Sequence, residues 1–320
     1  MGVEGSERPA AGSAEPWLVV VLLACAAWFE PVPLYLLALG GFGLAHVLSE
    51  IAWIRHTYGR ALPRAFWITV GGVLGLQALS RLWSWASGLA PEVLVAVDLV
   101  TLSAAILAAL WAVRAVRRPL AAAIASVGFA LLVLCAVRTD NAVYVMAALA
   151  VAHNLTPVAL TPPHLRWKGA PLRRLLLGLF AVPCVWLLWR PAPGAAPQVS
   201  SALPPEVDLL AGSPEVATWL VGPVVLAQCL HYYAVIRLLP AAGPATVFPV
   251  SLRVVLPGVA ACVALCLYFL HDHPGARSLY AVAAGAHAWL EWPIIVLALG
   301  GGVSHRARVL PSIRSRRSQA

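Results

Sequence analysis

A succession of apolar runs, many close to the length of a membrane span and each bounded by proline, glycine or charge, limits this chain more than any other feature. About 20 apolar residues in helical form cross the hydrocarbon core of a bilayer. In lipid the backbone must satisfy its own hydrogen bonds, so such runs form helices. Composition agrees: 61% of the residues are hydrophobic and 11% charged, where a soluble domain is nearer one quarter charged. The expected class is all-α: a polytopic transmembrane helical bundle of about 9–10 transmembrane helices, forming one domain over residues 16–303.

The expected segments run Trp17–Phe29, Val32–Ile54, Ala65–Ala86, Glu92–Val113, Leu120–Val137, Asn141–Thr161, Leu175–Trp189, Glu215–Ile236, Val250–Leu270 and Arg277–Gly302. The first is short and is ended by Glu30, Pro31 and Pro33, so it reads either as a tilted span or as a re-entrant piece. A Pro/Ala-rich connection, Arg190–Pro214, is the longest loop. Residues 1–15 are acidic and rich in Ala, Gly and Ser, without the positive n-region of a secretory signal, and read as a disordered N-terminal tail. Residues 304–320 read as a basic cytoplasmic tail.

The net charge of +9 does not point to nucleic acid, because the basic residues fall in short turns and in the tail. Arg55, Arg60 and Arg64 share one turn; Arg114, Arg117 and Arg118 another; Arg166, Lys168, Arg173 and Arg174 a third; Arg237 and Arg253 a fourth. The intervening turns carry Glu30, Glu92, Asp140, Glu206, Asp208 and Asp272. That alternation, with the positive-inside rule, predicts a multi-pass protein of the cell inner (plasma) membrane with a cytoplasmic C-terminus. The lipid bilayer is then its main partner. Six cysteines without a CxxC pair indicate neither a disulfide framework nor a zinc ribbon.

Ionisable residues within such spans are costly to bury and mark function by default. His46 with Glu50 in AHVLSE, and His287 with Glu291 in GAHAWLEWP, each place a histidine and a carboxylate four residues apart on one helix face. His153 in VAHNLTP and His231 in QCLHYYAVIRL stand alone on their segments. All four segments run from outside to inside, and counting residues to the cytoplasmic ends puts the histidines at similar depth. A lone transmembrane histidine reads as a helix–helix hydrogen bonder. Four at one depth predict a shared site, and imidazole suits iron, copper and zinc. Glu50 and Glu291 are placed as acids or bases, as ligands, or as carboxylates that orient the ligating rings. Asn154 and Gln228 are placed to orient the pocket, and Pro157 to kink the helix beside it. Trp289 and Trp292 flank Glu291 and are candidates to line a pocket for an elongated apolar substrate. Arg81 and Asp98 read as a structural ion pair. Trp17, Trp83, Trp85, Trp189 and Tyr232 read as interfacial anchors.

AHVLSE and AHAWLEWP resemble the first and last histidine motifs of the Brp/Blh family, membrane-bound, iron-dependent carotene 15,15'-dioxygenases. LHYYAVIRL is similar to the third histidine region of that family, with Ala227 and Val235 at the positions where a second histidine would stand. His153 is not followed by an acid, and Val47 replaces the glycine after the first family histidine. The resemblance covers four short patches. It implies a non-haem Fe(II) held by His46, His153, His231 and His287, with dioxygen and a lipophilic polyene as substrates and cleavage to retinal-type aldehydes.

Independently of that resemblance, a metal in a lipid-facing pocket suits an oxygenase or desaturase working on membrane-dissolved substrates. The HxxxH and HxxHH boxes of acyl desaturases are absent. Two alternatives stay open. A proton-coupled transporter would use the same acids and histidines as a relay. A haem-binding electron carrier would use the histidines as axial ligands.

Overall fold

Proline and charge decide where these helices stop. The computed structural model describes residues 14–59, 62–87, 91–112, 142–189, 214–242 and 252–299, with isolated positions 127–128 and 138. Helix α1 (Ala14–Phe29) ends at Glu30, and α2 (Pro31–Tyr58) begins on Pro31, a helix-entry position where the missing N–H has no intrahelical partner to lose. The remaining helices are α3 (Arg64–Ser87), α4 (Pro91–Ala112), α5 (Ala142–His153), α6 (Thr156–Leu160), α7 (Leu172–Leu188), α8 (Pro214–Tyr233), α9 (Leu252–His271) and α10 (His273–Leu299). A two-residue hairpin, β1 (Arg166–Trp167) and β2 (Ala170–Pro171), precedes α7. It turns through Lys168 and Gly169, both at positive φ. Beyond α8 the chain continues through a π-helical turn, Ala234–Leu238, into a final helical turn, Leu239–Ala242.

The all-α bundle expected from the sequence is the fold observed. Among the described residues, four helical stretches are long and apolar enough to cross a membrane: Pro31–Tyr58, Arg64–Ser87, Val216–Ala242 and His273–Val296. Shorter apolar helices include Ala14–Phe29 and Val255–His271. All but positions 127–128 of the expected segment Leu120–Val137, nearly all of the Arg190–Pro214 connection and the basic tail lie outside the described residues. Helix α1 starts at Ala14, inside the stretch read as a tail. Glu15 is tied there to Lys168 Nζ (3.2 Å) and Arg237 Nε (3.3 Å).

Helix α10 packs against α2, α3, α4 and α9, while α8 packs against α1, α2 and α7. Helix α2 touches both groups and joins them. Trp53, Ile54, Phe66, Leu160, Leu230 and Ile294 fill the interior. Large apolar side chains such as Ile68, Leu76, Leu256 and Leu270 face outward, as a lipid-solvated surface permits. Helices α2 and α10 come very close at Gly43, where a β-carbon would stand 3.1 Å from the Tyr280 ring.

The sixth expected segment, Asn141–Thr161, is not one helix but two. Pro157 has no N–H to give to the carbonyl of His153, its i−4 partner. The Thr156 hydroxyl donates to that carbonyl instead, at 2.6 Å. Asn154 and Leu155 form turns with short i−3 hydrogen bonds, and α6 restarts with Pro157 in its first turn. The predicted kink is therefore a full break immediately after a candidate ligand.

Arg81 and Asp98 form the ion pair that the sequence suggested, between α3 and α4. Arg81 Nε also donates to Asp98 Oδ1 at 3.2 Å, and Gln77 Nε2 donates to the same oxygen at 3.0 Å. Removing one partner of a buried pair leaves an uncompensated charge, which costs about 3–5 kcal/mol, whereas replacing both by apolar residues is often neutral. Arg81→Met should therefore lower the detergent-solubilised melting temperature markedly, and Arg81→Met with Asp98→Leu should recover most of the loss.

Candidate metal centre

Four histidines and one glutamate from four separate helices meet inside the bundle. His46 and Glu50 come from α2, His153 from the end of α5, His231 from α8 and His287 from α10. One ligand atom from each lies within 4.8 Å of all the others. His46, Glu50, His231 and His287 are each at most 2% exposed. The convergence that depth and direction predicted is present.

The local geometry separates the roles of the two acids. Glu50 Oε2 stands 3.2 Å from His231 Nε2 and 3.6 Å from His287 Nε2, so this carboxylate belongs to the candidate ligand set. Glu291 is one turn beyond His287 but binds elsewhere: its Oε2 accepts from His153 Nδ1 at 2.9 Å. That bond leaves Nε2 as the His153 nitrogen turned toward the centre. The acids thus serve rings on neighbouring helices rather than the histidine that precedes each of them. His46 and His231 have no hydrogen-bond partner at Nδ1 among the described residues. Packing orients His46 instead: the Tyr232 ring stacks on it with centroids 4.0 Å apart.

Whether a metal fits can be judged from distances and charge. Atoms held about 2.1 Å from one ion sit about 3.0–4.2 Å from one another. His46 Nε2 and His287 Nε2 are 3.2 Å apart, and the two Glu50 separations lie in the same interval. Glu50 and Glu291 are both fully buried, and neither meets a lysine or arginine among the described residues. A divalent cation would balance two such carboxylates and receive the converging imidazole lone pairs. Nitrogen-rich donors of this kind suit iron, copper and zinc.

The centre forms the floor of a cavity of about 650 Å³. Tyr35 and Leu39 precede His46; Met146 and Ala150 precede His153; Val224 and Gln228 precede His231; Tyr280 and Ala284 precede His287. All line the cavity. It therefore opens toward the N-terminal ends of all four ligand-bearing helices, which run the same way past the site. Glu50 and Glu291 lie on the opposite, closed side, backed by Trp53, Ile54 and Ile294.

Other sequence expectations divide. Asn154, Gln228 and Trp289 line the cavity as anticipated, whereas Trp292 packs into the core instead. Gln228 Nε2 donates to the Tyr232 hydroxyl at 2.8 Å. Tyr232, read as an interfacial anchor, is instead buried against His46; neighbouring a ligand histidine places it inside the bundle. Trp17, Trp83, Trp85 and Trp189 are exposed as anchors would be. Tyr35 and Tyr280 were missed. Tyr280 precedes His287 by two helical turns and shares its face, which was the available signal.

A scan of protein-family models, a search of curated proteins and a search of solved structures each return no match.

Loss of a carboxylate that orients a ligating histidine typically costs 10–100-fold in metal affinity. Glu291→Ala should weaken metal binding by about that factor in a chelator-competition titration. Glu291→Gln, which keeps an acceptor for His153, should lose less.

Proposed function

We propose that this chain is an integral-membrane, metal-dependent oxygenase, probing a lipophilic substrate against a non-haem iron held by His46, His153, His231, His287 and Glu50. The observation that carries the reading is the meeting of five buried candidate ligand atoms, three of them on histidines (His46, His153 and His287) that line a mainly apolar cavity. His46, His153, His231, His287 and Glu50 would hold the ion, and the cavity beside His46, His153 and His287 would give dioxygen and substrate room to reach it. Ferrous iron bound there would supply the chemistry of dioxygen activation. The protein's own groups have separate tasks. The four helix-borne histidines hold fixed positions, Glu50 contributes negative charge, Glu291 fixes the ring of His153, and Tyr232 holds His46 by stacking. The apolar walls keep bulk water from the reacting carbon chain. In its most specific form, taken from the Brp/Blh-like motifs, the reaction is oxidative cleavage of a carotenoid to retinal-type aldehydes.

A haem reading is disfavoured by the ring spacing. Adjacent histidine centroids lie 4.7–5.3 Å apart, which leaves no gap for a porphyrin between an axial pair. A proton relay in a transporter would use the Glu50–His231 and Glu291–His153 pairs, and it would not require a metal.

Metal analysis and an optical spectrum of detergent-purified protein separate these readings. The oxygenase predicts near-stoichiometric iron without a Soret band, lost in His231→Ala and in His287→Ala. Metal-free, haem-free wild-type protein that folds like both variants would overturn it in favour of the relay. The topology belongs to the same proposal: a C-terminal alkaline phosphatase fusion should be inactive and a C-terminal green fluorescent protein fusion bright, as a cytoplasmic terminus in the inner membrane requires.

A further inference from the structure

The Arg81–Asp98 pair joins α3 to α4, and it is also part of the cavity wall. Both side chains line the cavity, beside Leu94 and Val95 of α4 and Gly285 and Ala288 of α10. Gly285 lets the pair approach α10 closely: a β-carbon there would stand 2.7 Å from Gln77 Nε2 and 3.2 Å from Arg81 Nε. Gly285 precedes His287 by two residues, about 3 Å along the helix axis. The pair therefore sits near the level of the histidine cluster, on the side of α10 that faces α3 and α4.

A guanidinium carries five N–H donors. Arg81 gives its Nε–H to Asp98 Oδ1 and one Nη–H to Asp98 Oδ2. The other three meet no acceptor among the described residues, and the side chain is 18% exposed. Asp98 is fully buried and accepts from Gln77 Nε2 as well. Cation and anion cancel, so the pair offers the cavity hydrogen-bond donors without net charge. An interior donor left without an acceptor costs free energy. A plain hydrocarbon filling the cavity would leave that cost in place, and an oxygen on the same chain would remove it.

We infer that the cavity takes an uncharged, oxygen-bearing lipid, and that Arg81, held by Asp98, donates to its hydroxyl or carbonyl oxygen. The inference rests on the cavity being the substrate chamber of the proposed oxygenase, and it names the class of that substrate. A volume of about 650 Å³ lies within the range of about 300–1,000 Å³ that holds one small ligand. A carboxylate gains no advantage here, because Asp98 already supplies the anion and repels a second one. An oxygen tied at this level brings the same stretch of apolar chain past the metal position each time, which makes Arg81 a specificity-determining residue.

Equilibrium binding of tritiated ligands in a non-ionic detergent tests this, with octadecane, 1-octadecanol, 2-octadecanone and stearate as probes. Wild type should bind the alcohol or the ketone about tenfold or more tighter than octadecane, as a hydrogen bond to a charged group requires. Whichever binds tighter identifies the oxygen, and stearate should bind no tighter than that ligand. Arg81→Met with Asp98→Leu, the pair replacement that preserves the fold, should lose the preference and keep its affinity for octadecane. Arg81→Lys, which retains the charge pair but draws the ammonium onto Asp98, should lose most of the preference too, and it decides the question should the double variant not fold. Equal binding of alkane, alcohol and ketone by wild type would overturn the inference. So would a tenfold preference for stearate, or an oxygen preference that survives the substitutions and leaves the pair purely structural. Iron content of the same preparations reports separately on the metal. An Arg81-dependent oxygen preference in iron-free protein would sink the oxygenase and keep the site, while bound iron without that preference would do the reverse.

Discussion

Burying charge and imidazole in a low-dielectric interior is expensive unless each group finds a partner, and the bundle is arranged around meeting that requirement. His46, Glu50, His153, His231, His287 and Glu291 would each be a liability on an isolated helix. Brought together, every one has a polar neighbour within the cluster, and the helices that carry them are held at fixed rotation and height. The interior residues Trp53, Ile54, Leu230 and Ile294 pack around that cluster. Polar satisfaction and apolar packing therefore select the same arrangement of α2, α5, α8 and α10.

The same constraint gives the site two unlike sides. Toward the C-terminal ends of the four helices the carboxylates and large apolar side chains close the floor. Toward the N-terminal ends, small and aromatic residues leave space. Access through the cavity and the buried acids are thus kept on opposite sides, so a group entering the cavity need not displace the acids that hold the rings.

Much of this was legible in the sequence. Apolar runs bounded by Pro31, Pro91 and Pro214 gave helices whose limits differ from the observed ones by a few residues, and four histidines at similar depth predicted their meeting. Three things were not legible. Partner choice was one: spacing put Glu291 beside His287, but side-chain direction across the bundle gave it to His153. The break after His153 was another, because Pro157 alone does not say whether a helix bends or stops; the Thr156 hydroxyl decides that by taking the orphaned carbonyl. Burial of Tyr232 was the third, since an aromatic residue near a helix end looks the same in sequence whether it faces lipid or a neighbouring ring.

The break after His153 changes how the site tolerates insertions. An extra residue anywhere in α2 between its packed first turns and His46 would swing that ring by about 100° around the helix axis, off the centre and into a neighbouring wall. The same holds for His231 and His287. His153 terminates its helix, so a residue added in the following turn displaces only what comes after. An insertion upstream within α5 would turn His153 in the same way, so only the turn that follows this ring is free of that effect. Variation in chain length near the centre is therefore affordable at one place, the turn between α5 and α6.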